Sequence, residues 1–139
     1  MKGINTGRWL AGGIAAGVLV WLLEGAASVL YMADMEAAMK AHNLAIEMNL
    51  HTMLLTVLVS LILGLTLVFF YASARPRFGP GPRAAVIVAV ALWLGSTVIA
   101  LVGYAIMGLY PHSMLVTWAG IGLVEMVLAA LVGGWIYRE

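Results

Sequence analysis

The sequence predicts an all-α fold, a four-helix transmembrane bundle with both termini on the cytoplasmic side and a partly helical outer loop between helices one and two. Three observations carry this. First, the 139 residues are 64% hydrophobic and only 9% charged, with a mean hydropathy of +1.06, whereas soluble domains hold about 25% charged residues. A small water-soluble domain leaves much of its surface exposed and could not hide so much apolar side chain. Second, four apolar runs, about 9–32, 51–73, 84–109 and 114–136, each reach the roughly 20 residues that a helix needs to cross the hydrocarbon core. They are continuous rather than alternating, which favours helices over barrel strands. Third, the charges are sorted: Lys2, Arg8, Arg75, Arg77, Arg83 and Arg138 lie on one side of the predicted spans and Lys40 alone on the other. That bias places the termini and the arginine loop in the cytoplasm, under a single transmembrane domain covering 1–139.

Taken in order, the first run follows Lys2 and Arg8 and ends in the small-residue string Gly25-Ala26-Ala27-Ser28. Its length and its internal Glu24 read as an uncleaved helix rather than a signal peptide. The 32–50 segment is rich in Met and Ala and joins helices one and two. Helix two runs to about 73, where Pro76 is expected to stop it, since proline disfavours helical geometry in the residue before it. The stretch Arg75-Pro76-Arg77-Phe78-Gly79-Pro80-Gly81-Pro82-Arg83 then reads as a stiff, non-helical turn. Its arginines serve orientation, with contact to anionic lipid or a partner through Arg75, Arg77 and Arg83 as the functional alternative. Pro111 is expected to end helix three before a short turn into helix four. Trp9, Tyr71, Tyr110, Trp135 and Tyr137 fall near helix ends, where amphipathic rings prefer the membrane interface.

The polar chemistry is concentrated in two carboxylates. On helix one, Gly13, Gly17, Glu24 and Ser28 share a stripe; on helix four, Trp118, Gly122, Glu125, Ala129 and Gly133 form a matching one. Small residues let membrane helices approach, so both glutamates are expected to point inward. At 1.5 Å per residue, Glu24 lies roughly 12–15 Å below the outer end of its helix and Glu125 roughly 16 Å below the start of its own. Ser60 and Thr97 fall near the same depth, so a buried polar layer of Glu24, Glu125, Ser60, Thr97 and Ser28 is expected. A charge at the bilayer centre costs about 2.5–3.5 kcal/mol on insertion scales. No Lys or Arg lies inside a span to offset it, so one carboxyl is expected to hold a proton, or the pair to share a proton or a bound cation.

On the outer face, Met35 and Met39 with His42, His51 and His112 offer thioether and imidazole ligands that suit copper or zinc. Their spacing matches no known ligand pattern, and Met32, Met35 and Met39 also form an interfacial helical stripe. There is no cysteine, so thiolate chemistry is excluded. No nucleophile–base set, zinc-protease motif or phosphate-cradling glycine loop occurs, so neither an enzyme nor a cofactor is called for. No basic patch stands apart from the membrane-flanking arginines, which argues against nucleic acid.

Four spans in under 140 residues with a carboxylate in the first resemble the small multidrug resistance transporters in architecture. The first loop here is longer, Glu125 has no counterpart in their pattern, and no activity is carried over. The strings GRWLAGGIAAG with a following EG, ARPRFGPGPR and GLVEMVLAALVGGWIYRE resemble small bacterial integral membrane proteins, a likeness that implies the four-helix architecture and a place in the bacterial inner membrane. Three functions follow as expectations. The first is a non-catalytic membrane subunit or interaction protein, packed through small-residue stripes in lipid as a homo-oligomer or within a larger complex. The second is a proton- or cation-coupled transporter using Glu24 and Glu125 as a dimer. The third is an outer-face copper or zinc binder.

Overall fold

The computed structural model describes residues 3–138; Lys2, one of the six charges weighed for orientation, lies outside them. Among the described residues the chain is helical without strands: α1 (Thr6–Ser28), α2 (Met32–Ala41), α3 (Leu50–Phe78), α4 (Pro82–Leu92), a π-helical segment (Trp93–Val98), α5 (Ile99–Met107) and α6 (His112–Ile136). α1, α3, the continuous run Pro82–Met107 and α6 are each long and apolar enough to cross a membrane.

Local chemistry sets the boundaries. Asn5 and Asn49 cap α1 and α3, their side-chain oxygens accepting from Arg8 N and Thr52 N at 3.0 and 2.9 Å, which satisfies donors the first helical turn leaves open. Pro76 does not stop its helix as expected: α3 runs through it to Phe78. A proline so near the C-terminus costs one intrahelical hydrogen bond, the one its missing N–H would give to the carbonyl four residues back, and Arg75 and Arg77 sit favourably at the negative end of the helix dipole. The turn narrows to Gly79–Gly81, whose φ angles of 80° and 116° are open to glycine at little cost. Likewise Pro111 is not what ends the third span. Gly108 does so in the left-handed conformation, and Pro111 stands at the N-cap of α6.

Helix packing is built on glycine. α1 lies against α3 and α6. A methyl added to Gly64 would overlap the backbone of Gly13 and Gly17, and one on Gly12 would come within 2.7 Å of Gly133 O. Without side chains the backbones close up, and the dispersion gained replaces the hydrophobic force that lipid does not supply. Around this contact Ala16, Leu67, Val68, Ala129 and Ala130 are fully buried.

The aromatic residues at this end correct an expectation. Tyr71 and Tyr137 are each only 3% exposed and meet edge to face at 6.3 Å instead of facing the membrane interface. Their hydroxyls accept from Gly81 N and Asn5 N, both at 3.1 Å, and so tie the start of α1, the α3–α4 turn and the end of α6 together. A buried phenol needs such a partner. Arg75 stacks over Tyr137 at 5.5 Å. This arginine end is thus tied together around a small hollow of about 180 Å³ beside Tyr71 and Arg138, and a larger pocket opens at the opposite end, beside α2.

Candidate functional site

At the α2 end, α1 leans on α3 and α6, whereas α5 leans chiefly on α6. α4 packs on α3 as well as α6, but α5 makes no comparable contact with α3 or α1, and a pocket of about 420 Å³ lies between α1 and α5. Helical register supplies its walls. Trp118, Gly122 and Glu125 are four and three residues apart on α6, and Thr97, Leu101 and Tyr104 repeat that spacing on the other wall; such positions share a face. Glu24 and Tyr31, seven residues apart, form the α1 side, with Met35 of α2 and Tyr110 at the rim.

The π-helical segment fixes the α4–α5 wall. Its Trp93 donates from Nε1 to Ala119 O at 2.9 Å, and Thr97 Cγ2 lies where a methyl on Gly122 would come within 3.2 Å. Leu94, Gly95 and Ser96 turn outward and are exposed. A wide turn of this kind takes up an extra residue within a helix and is frequent at functional sites.

Both carboxyl groups reach this pocket, but not with equal burial. Glu125 is 8% exposed, whereas Glu24 is exposed on the pocket wall. The expected buried layer is corrected on that point: α1 packs on α3 and α6 while neither α4 nor α5 closes over its pocket face, which leaves Glu24 uncovered. The two carboxyls interact directly, and Glu125 Oε1 is buried without a hydrogen-bond partner. When both are ionised they have only acceptors, so one proton between them is what turns this contact into a hydrogen bond.

Tyr31 completes the pair from above, its hydroxyl donating to Glu24 Oε1. The phenol is pushed well above the ordinary tyrosine value by burial first, then by the hydrogen bond and charge of Glu24. Four rings surround the opening. Trp118 meets Tyr31, Tyr104 and Tyr110 edge to face at 5.4, 6.5 and 4.8 Å, and Tyr104 meets Tyr110 at 5.5 Å. The Tyr110 hydroxyl is also raised, by burial and then by Tyr104.

Of the residues singled out in the sequence, Glu24, Glu125 and Thr97 come together in this pocket, and Met35 joins them. Ser60 and Ser28 do not line it. Ser60 O backs onto Gly17 in the α1–α3 contact, and Ser28 Oγ donates to Gly25 O at 2.7 Å. Thr56 instead meets α1 by accepting from Trp21 Nε1 at 3.1 Å. Among the described residues no group of three or more His, Cys, Asp or Glu side chains is gathered to hold a metal. Met39 lies apart from Met35, in a shallow hollow with Glu36 and Lys40. Arg77 and Arg83 are exposed at the arginine end and Arg75 is half-buried.

Sequence reasoning did not single out Tyr31, Tyr110 or Trp118 as site residues. A signal was there for the first: within the expected 9–32 span Tyr31 stands two helical turns after Glu24 and would share its face, although α1 itself ends at Ser28. With this geometry in place, comparison with known proteins adds nothing to identify the site: no family model matches the chain, no curated protein matches it, and neither does any solved structure.

Proposed function

We propose that this chain is a small membrane protein that takes up and releases a cation, the proton foremost, at the Glu24–Glu125 pair, and that it moves that cation across the bilayer as a dimer. One observation carries the reading: carboxyls from two separate helices converge on one open pocket, with a buried oxygen of Glu125 unpartnered. An ionisable group inside a membrane span is costly and marks ion or proton pathways by default. The competing reading, in which the pair is a fastener inside a non-catalytic subunit, has less to rest on. Close helix contact is made by glycines at other levels, and the carboxyls face a cavity instead of a helix seam. A dimer is invoked because four helices enclose little room for a path. In this reading the arginine end faces the cytoplasm of a bacterial inner membrane and the pocket opens outward.

Proton flux into liposomes tests it, comparing wild type with Glu24→Gln, Glu125→Gln and the double variant under an imposed potential. Glutamine keeps size and polarity but cannot exchange a proton. Flux is expected to fall to the protein-free level in the double variant. Flux equal to wild type in all three would return the pair to a structural role.

A further inference from the structure

The hollow at the arginine end, about 180 Å³ in volume, lies against the first turn of α4, and what its walls offer is donors. Tyr71 is only 3% exposed, and its hydroxyl accepts from Gly81 N at 3.1 Å. A phenol also has a hydrogen to give, and among the described residues nothing accepts it. No side chain caps α4, whose first residue is Pro82. Proline has no N–H, and Ala85 N closes onto Gly81 O, so the N–H groups of Arg83 and Ala84 are left for an acceptor from outside the helix. Arg138, stacked on Trp135 at 5.5 Å, lines the same hollow. The lining contains no Asp, Glu or His, so a metal ion finds no ligand there. An apolar molecule would shut these donors away from any acceptor, which is costly.

We propose that this hollow binds the phosphate of an anionic membrane lipid, its oxygens accepting from the Tyr71 O–H, the open N–H groups of α4 and the Arg138 guanidinium. A phosphate brings the acceptors that all three lack, and the positive end of the helix dipole adds to the charge of the arginine. Volume limits the ligand. At about 180 Å³ the hollow is smaller than the roughly 300–1,000 Å³ of sites that enclose a whole organic ligand, so it suits a headgroup phosphate and not a nucleotide. The surroundings point to the source. Leu131 and exposed Trp135 form the other wall, and the outer face of α6 continues apolar and exposed through Leu128 and Val132. That face is a track for acyl chains, which a soluble phosphate would leave unused. Basic pockets between membrane helices are where acidic headgroups settle. The site shares no residue with the Glu24–Glu125 pocket and stands or falls apart from the proposed function.

Native mass spectrometry of the full chain, released from mild detergent and titrated with phosphatidic acid, tests it. Diacylglycerol, the same lipid without its phosphate, is the control. Saturable retention of phosphatidic acid is expected, and none of diacylglycerol. Arg138→Gln is expected to weaken retention about fivefold, the worth of a basic residue facing an acidic headgroup. Arg77→Gln makes the same charge change at an exposed position outside the hollow and is expected to bind as wild type does. Tyr71→Phe keeps the buried ring but loses the O–H, and a loss of about three- to tenfold is expected. Should that variant not purify folded, the exposed Arg138 carries the test against Arg77. Equal retention of the two lipids, equal losses in the two arginine variants, or undiminished retention in Arg138→Gln overturns the assignment. Displacement of phosphatidic acid by inorganic phosphate at matching concentration overturns the lipid source and makes the hollow a site for free phosphate.

Discussion

Tyr31 shows how one side chain outside the spans controls a group inside one. Its hydroxyl donates to Glu24 while its ring packs on Trp118, so it couples the carboxyl to the aromatic wall. Burial and the neighbouring carboxylate hold its proton well above the ordinary value of 10.0. The folded state therefore binds this proton more tightly than the unfolded chain does. The contribution is fully present below about pH 10 and is lost as pH climbs from there toward the folded value, because only the unfolded phenol ionises in that window. Tyr31→Phe is expected to cost about 0.5–1.5 kcal/mol at neutral pH through the lost hydrogen bond. It is also expected to flatten the alkaline decline. Thermal unfolding in detergent, at neutral pH and about one unit above the ordinary tyrosine value, measures both; an alkaline decline as steep in the variant as in wild type would show that Tyr31 is not its source. The two glutamates were legible in the sequence because a carboxylate in an apolar run violates a strong rule. The aromatic residues were not, because a ring near a helix end reads the same whether it stands exposed, as Trp135 does, or walls a pocket, as Tyr110 does.

At the scale of elements, the contact between α1 and α3 is the tightest place in the molecule. The Gly13–Gly17 pair announced a close approach, but its partner could not be read from one sequence. Gly64 meets it from α3, and Gly133 of α6 takes Gly12. A methyl at Gly64 would lie 2.6 Å from Gly17 Cα, and backbone cannot turn aside as a side chain can. Gly64→Ala should therefore push α1 and α3 apart and cost about 1–3 kcal/mol, the usual range for an overfilled interior. Gly120→Ala supplies the contrast, since nothing lies within 4 Å of a methyl there, and stability should be unchanged or slightly raised by the better helix former. Denaturant titration in mixed micelles reads the difference; equal midpoints for the two variants would mean that the α1–α3 glycines do not set the packing. Two other element-scale features escaped sequence reasoning for physical reasons. A proline in the last turn of a helix removes little hydrogen bonding, so Pro76 marks no boundary. The π-helical turn depends on how Trp93 and Thr97 seat on α6, a tertiary match that apolar continuity through Leu94 and Val98 does not reveal.

The whole molecule has two unlike ends, and the difference follows from where the chain places its small and its aromatic residues. At one end Asn5 is hydrogen-bonded to Tyr137 and Gly81 to Tyr71, and Arg8, Arg75, Arg77, Arg83 and Arg138 each lie close in sequence to one of these residues. At the other, α2 with Asp34, Glu36 and Lys40 stands beside an open pocket. Helix number and approximate spans were legible because hydropathy is additive along a run and needs no knowledge of neighbours. The unequal ends were not, since they depend on which helices pack together. Positive charge is retained on the cytoplasmic side of short loops, so the arginine end should face inward and the pocket outward. The natural chain has no cysteine, which makes a single introduced thiol an unambiguous reporter. His42, beyond α2, and Pro80, in the α3–α4 turn, are both exposed, and neither takes part in the charge bias. In sealed, right-side-out vesicles a membrane-impermeant maleimide is expected to label His42→Cys directly and Pro80→Cys only after permeabilisation. The reverse pattern would turn the molecule over and point the pocket at the cytoplasm, making uptake from outside untenable. Labelling of both without permeabilisation would mean that the two turns are not separated by a bilayer, and the four apolar helices would then need a different account.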